Sequence, residues 1–201
     1  MMTHYRDIRL FDEMEISLGF LWSKLHTQIH LALVAIKDEN ERVDVGVSFP
    51  KYGGQAFPLG DTLRLFAPTR DRLEALKLER YLERLSDYIQ LSPIKDVPVD
   101  VSEFAVFKRV RFKSDAQIRR LAKRRSVREG ILYETALKEY METARKYEKL
   151  KCDNRLPYIN VQSLSNGHRL KLFIEKVPLK ESTNGDFSTY GLSDQASVPI
   201  F

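Results

Sequence analysis

Cysteine is nearly absent: Cys152 stands alone among 201 residues. One thiol excludes a disulfide framework and a cysteine-built metal site. It fits a reducing, cytoplasmic setting. Long apolar runs are missing as well. No stretch approaches the ~18 residues of a spanning helix, so no membrane partner is expected. The opening MMTHYRDIRL is charged and strand-like and has no apolar signal core. Internal repeats, low-complexity tracts and long linkers are also lacking. The most telling absence is local. Across residues 108–128, KRVRFKSDAQIRRLAKRRSVR, Asp115 is the only acid.

That same stretch holds ten basic residues and carries +9, in a chain whose formal net charge is +5. The remainder is therefore mildly acidic, and the positive charge is concentrated in one place. A charge run is ordinarily a solvated helix face with interspersed acids. Here the acids are missing, so repulsion along the face goes unrelieved. A polyanion, and specifically nucleic acid, is the partner this pattern fits. At 100° per residue, Arg119, Arg120, Lys123 and Arg124 share one side of a helix, and Ile118, Leu121 and Ala122 share the other. Each cation that neutralises a phosphate releases counterions and strengthens binding. Arg109 and Arg111 precede this helix in strand-like sequence, where residues two apart share a face. They suit either phosphates or the O6 and N7 of guanine.

Hydrophobic residues make up 43% of the chain, with 11 Phe and 9 Tyr, enough for a packed core rather than a disordered chain. Strands are expected at 4–10, 43–49, 62–66 and 88–91. Helices are expected at 17–36 and 70–86, with Leu18, Leu21, Leu25, Ile29 and Ala32 buried on the first and Leu73, Leu76, Leu82 and Leu85 on the second. The order is βαββαβ, the ferredoxin-like pattern. Residues 1–95 sum to −1 and residues 96–201 to +6. Two parts are expected, 1–95 and 96–201. The second would hold a strand at 104–112, a basic helix near 115–125, a helix near 129–150 and short strands at 158–163, 169–176 and 187–190. The class is α+β.

The four histidines are His4, His26, His30 and His168. His26 and His30 lie one helical turn apart. The zinc-protease signature needs Glu directly after the first His, and Thr27 stands there. No third ligand is evident. The pair can be structural, can bind a metal, or can supply a neutral imidazole as general base near pH 7.

Taken in order, HYRDIRL (4–10), GVSFP (46–50), RVRFKS (109–114) with the basic helix, QSLSNG (162–167), RLKLFI (169–174) and TYGLS (189–193) are similar to the type I-F CRISPR repeat-processing endoribonucleases. The match covers almost the whole chain. The resemblance implies a ferredoxin-like N-terminal domain and a C-terminal part with an Arg-rich helix. It implies recognition of the repeat hairpin in the CRISPR precursor transcript. Cleavage would fall at the 3′ base of the stem, with no metal or cofactor. The ribose 2′-OH would attack the adjacent phosphate, leaving a 2′,3′-cyclic phosphate and a 5′-OH. The enzyme would stay on the mature guide RNA within the surveillance complex, against its backbone subunits, and be monomeric outside it.

By the same resemblance, the catalytic residues are His30, Ser163 and Tyr190. His26 is the competing histidine, because KLH at 24–26 also fits. His30 keeps the family spacing without an insertion inside a packed helix. Ser163 would hold the 2′-OH, with Ser165 the next polar group, and Tyr190 would orient the histidine. Arg109 matches a base-reading Arg. Arg111 stands where Gln is typical, which implies guanine rather than adenine at that base pair. Leu170 takes the place of a stacking aromatic and caps the terminal pair by apolar contact alone. Arg119, Arg120, Lys123 and Arg124 would clamp the backbone. A hairpin-binding subunit that does not cut, or a DNA-binding regulator, would share the basic helix but not the chemistry.

Overall fold

Alternation builds the first sheet. In β1 (His4–Leu10) Ile8 and Leu10 are buried, and in β4 (Thr62–Ala67) Leu63 and Leu65 are. The computed structural model describes residues 1–11, 16–54, 57–153, 155–162 and 167–201. Between these strands come α1 (Leu18–Ala35), β2 (Arg42–Val43) and β3 (Gly46–Ser48). After β4 come α2 (Arg70–Glu74), α3 (Leu78–Leu82), a 3-10 turn, β5 (Ile89–Leu91) and β6 (Lys95–Asp96). The sheet order is β3-β4-β1-β5, all antiparallel, with β6 also on β1.

The rest comprises β7 (Glu103–Val110), α4 (Asp115–Glu129), α5 (Tyr133–Cys152), β8 (Tyr158–Gln162), β9 (Arg169–Leu179), β10 (Phe187–Ser188) and β11 (Val198–Ile200). A second sheet has the order β11-β7-β9-β8, and β10 pairs with β2. The architecture is α+β.

Two compact units divide the chain: residues 1–109 with 157–201, and residues 110–156. The composition change near residue 95 does not coincide with this division. The reason is burial. Ala105, Phe107, Ile159, Val161, Leu172 and Ile174 of the second sheet share one core with Trp22, Leu25 and Ile29 of α1. Trp22 is fully buried, and its indole N–H donates to the Gly60 carbonyl at 2.8 Å. Arg64 donates twice to Asp7 and once to the Phe201 carbonyl, so the last residue docks on β1 and β4.

Two expectations need correction. The single helix over 70–86 is instead α2, α3 and a 3-10 turn. Lys77 adopts φ +47° and ψ +47° between them, a left-handed step that breaks the helix. The break lets Leu73, Leu76, Leu78, Leu82 and Leu85 all be buried. The strand over 43–49 is divided as well, because β2 serves β10 while β3 serves β4.

The second unit is a helical pair. Ser114 opens α4 with a reciprocal cap: its hydroxyl accepts from the Gln117 N–H, and the Gln117 side chain accepts from the Ser114 N–H. Gly130 closes it at φ +67°. Ile118 and Ala122 of α4 and Ala136 of α5 are buried in this unit.

Candidate functional site

Two histidines one turn apart on α1 have different surroundings. His26 is buried at the border of the apolar stripe formed by Leu18, Leu21, Trp22, Leu25, Ile29, Ala32 and Leu33. It is 3% exposed, and among the described residues its Nδ1 has no hydrogen-bond partner. Burial above all, then the nearby His30 and Arg109 charges, push its pKa down to about 3. His26 is therefore neutral at any physiological pH. His30 is only part-buried, and its Nδ1 lies 2.8 Å from the Thr189 carbonyl oxygen. A carbonyl can only accept, so Nδ1 carries the proton and donates it. Nε2 is then the basic nitrogen.

The partner segment explains this placement. Tyr190 belongs to a tight turn in which the Gly191 N–H donates to the Ser188 carbonyl at 2.7 Å and the Ser188 N–H to Leu192 at 2.8 Å. The Val47 N–H of β3 donates to the Gly191 carbonyl at 2.9 Å. Only glycine fits there: φ is +69°, and a Cβ would stand 2.4 Å from Val47 Cγ1. The turn so held lays Tyr190 against α1. Its ring stacks on His30 at 4.3 Å between centroids and 6° between planes. The His26 ring is 5.6 Å away at 18°. The Arg109 guanidinium sits 5.5 Å from the Tyr190 centroid. His30, Tyr190 and Arg109 are thus brought together, and His26 lies at the dry side of the same stack. Sequence reasoning did not single out Gly191 or the Thr189 carbonyl. Both lie within TYGLS, where a glycine directly after Tyr190 was the available signal.

Ser163 and Ser165 lie outside the described residues. Leu170 is half-buried and packs against the core, opposite Val161 in the β8–β9 ladder. Arg111 requires a correction: β7 ends at Val110, so Arg111 lies beyond it and the shared-face expectation does not reach it. Instead Arg111 lines a groove of about 380 Å³ in the helical unit with Phe112, Lys113, Gln117, Arg120, Leu121 and Arg124. Arg119 and Lys123 are exposed on α4. Among the described residues, Arg119, Arg120, Lys123 and Arg124 form no ion pair. Arg125 differs: it binds Glu129 and Glu139, which raises its pKa and ties α4 to α5. Arg128 is paired with Glu129. Among the described residues, the cations of α4 thus divide into those held by acids and those with no ion pair.

Among the described residues, no three His, Cys, Asp or Glu side chains gather as a metal site requires. None of the described helices is long and apolar enough to cross a membrane.

One unit therefore holds a tautomer-fixed imidazole on an aromatic ring, and the other a helix with acids only at its two ends, features that suit a protein that does chemistry on nucleic acid. The chain belongs to the CRISPR-associated Csy4 family, whose model matches residues 5–201. It is 37% identical, over the full length of both chains, to a CRISPR-associated endonuclease Cas6/Csy4 of Escherichia coli strain UTI89. It is 35% identical, again over the full length of both, to a CRISPR-associated endonuclease Cas6/Csy4 of Pseudomonas aeruginosa strain UCBPP-PA14.

Proposed function

We propose that this chain cuts CRISPR precursor RNA at the 3′ base of the repeat hairpin, without a metal, and remains on the mature guide RNA. Family membership makes it a CRISPR-associated endoribonuclease. The finer reading rests on one observation above others. The hydrogen bond from His30 Nδ1 to the Thr189 carbonyl leaves Nε2 as a proton acceptor, and the neighbouring His26 is dry and neutral.

In this reading His30 Nε2 takes the proton from the 2′-OH at the foot of the stem. The 2′ oxygen attacks the adjacent phosphorus, the bond to the 5′ oxygen breaks, and the leaving 5′ oxygen takes up a proton from water, while His30 returns its own proton to solvent. The products are a 2′,3′-cyclic phosphate and a 5′-OH. Tyr190 keeps the imidazole plane fixed, and the Arg109 guanidinium above the same ring adds positive charge where the phosphorane forms. Ser163 holds the attacking ribose. Arg109 and Arg111 read the lowest base pairs, and Leu170 caps the terminal one. Arg119, Arg120, Lys123 and Arg124 grip the backbone of the stem, which gives residues 96–201 the recognition role. The sheet order β3-β4-β1-β5 supports a ferredoxin-like reading of residues 1–95. The protein works in the cytoplasm, alone before assembly and afterwards against the backbone subunits of the type I-F surveillance complex.

The deciding assay compares wild type and His30→Ala on the repeat hairpin in EDTA. Wild type should cut, and His30→Ala should bind with unchanged affinity and not cut. A 2′-deoxyribose at the cut site should block wild type while preserving binding. If only His26→Ala abolishes cutting, the wrong histidine has been assigned. If wild type binds its repeat and never cuts, the chain is a non-cleaving hairpin-binding subunit.

A further inference from the structure

The outer face of the β8–β9 ladder carries an arrangement that hairpin recognition does not use. The ladder is antiparallel, and its register places Tyr158 opposite Phe173, Asn160 opposite Lys171 and Gln162 opposite Arg169. The intervening residues Ile159, Val161 and Leu172 point the other way and are buried in the core. The six outer residues therefore share one face. Tyr158 is 38% exposed, and Asn160, Gln162, Arg169 and Lys171 are exposed as well. Phe173 packs beside Tyr158, their ring centroids 5.3 Å apart and their planes tilted by 52°. Lys171 Nζ stands 4.2 Å from the centroid of the Tyr158 ring.

None of the six is acidic. The next acid along β9, Glu175, is buried and paired with Lys108 at 3.1 Å. Arg169 and Lys171 form no ion pair among the described residues. The face thus offers an aromatic ring buttressed by its cross-strand neighbour, two amides and two cations at the strand repeat of about 6.8 Å. An extended polynucleotide answers each of these groups. A base stacks on Tyr158, the displaced Lys171 ammonium and Arg169 meet phosphates, and Asn160 and Gln162 hydrogen-bond base edges. Sequence-tolerant binding of single strands is built from such stacking and cationic groups.

Position selects which strand. Gln162 and Arg169 form the last pair of the ladder, and Ser163 follows Gln162 directly in the chain. We infer that the outer β8–β9 face, centred on Tyr158 and Lys171, is a binding platform for the single-stranded RNA that continues 3′ of the scissile phosphate. This rests on the proposed reading of the site, in which Ser163 holds the ribose at the cut. The platform would keep the downstream strand extended and the reacting phosphate aligned with the 2′-OH, and would release that strand after cleavage.

The test uses the full chain and two hairpins with 2′-deoxyribose at the cut site. One ends shortly after it, and the other continues for about eight single-stranded nucleotides. Tyr158→Ala and Lys171→Ala should each weaken binding of the extended RNA, Tyr158→Ala by about tenfold from loss of one stacked base. Neither should change affinity for the trimmed hairpin, and Tyr158→Phe should retain the wild-type preference for the extended RNA. Equal losses on both RNAs, or no loss on either, would overturn the inference. A short single-stranded oligoribonucleotide, titrated alone, separates this from the functional reading. If wild type ignores the hairpin yet binds the oligomer through Tyr158, the hairpin reading fails and the platform stands. If it binds the hairpin and Tyr158→Ala changes nothing with the extended RNA, the platform fails and the hairpin reading stands.

Discussion

Replacing His26 with Phe should make the protein more resistant to acid, by an amount the structure allows to be worked out. His26 is enclosed by the core, and its pKa is pushed from 6.5 to about 3. In the unfolded chain the imidazole titrates near its ordinary value. As pH falls below 6.5 the unfolded state therefore takes up a proton that the folded state refuses. The stability associated with the neutral ring is complete above 6.5 and is lost as pH falls toward 3. At pH 5 the loss is about 2 kcal/mol, at 1.36 kcal/mol per unit of separation. A phenyl ring has no such linkage. It also removes the unpartnered buried Nδ1, which is worth roughly 1 kcal/mol once some overpacking is allowed for. His26→Phe should thus exceed wild type by about 1 kcal/mol at pH 8 and by about 3 kcal/mol at pH 5. Urea unfolding of both proteins across this range measures the gap, with equal m-values showing that the denatured states match. A gap that stays constant within about 0.5 kcal/mol from pH 8 to pH 5 would refute the reasoning, because His26 would then titrate alike folded and unfolded.

Other outcomes follow from the same geometry. Gly191→Ala should destabilise the fold by roughly 1–3 kcal/mol, through a left-handed alanine and the contact with Val47. It should slow cleavage more than it weakens hairpin binding, since Tyr190 rides on that turn; equal effects on both would count against the assigned role. Arg124→Ala should reduce the salt dependence of RNA binding by about one unit of slope and leave thermal stability unchanged. Arg125→Ala should do the reverse, because Arg125 is held by Glu129 and Glu139, and a melting curve beside a salt titration distinguishes the two.

Much of this was legible in the chain because local rules and burial agreed. HYRDIRL alternates, and β1 occupies those same residues. Leu18, Leu21, Leu25, Ile29 and Ala32 recur at helical spacing, and all five are buried on α1. The illegible parts are those decided by residues far away in sequence. Nothing local to residues 70–86 announces a left-handed Lys77; it is tolerated because five leucines must reach one core. The charge change near residue 95 looked like a boundary, yet charge reports on surface and the two sheets are joined by core. Arg125 sits in the same basic run as Arg124, and only the fold of α5 brings Glu139 to it.

The same point separates the surroundings of the two histidines, by register rather than by residue type. A helix face repeats at three and four residues, so the neighbours of His26 along α1 are Trp22 and Ile29, both fully or almost fully buried. A histidine set between such neighbours cannot keep a hydration shell, and burial turns it into a neutral packing group. His30 is displaced by one step of four, beyond the edge of the stripe. There one nitrogen meets the Thr189 carbonyl and the ring remains partly open to solvent. A general base must gain and lose a proton within one reaction cycle, which requires one fixed nitrogen and one accessible nitrogen. Only the histidine beyond the edge of the stripe meets both conditions. On a wheel of 100° per residue, Trp22 and Leu33 extend the apolar stripe of α1 to within about 20° of His26, while His30 lies about 60° beyond its edge.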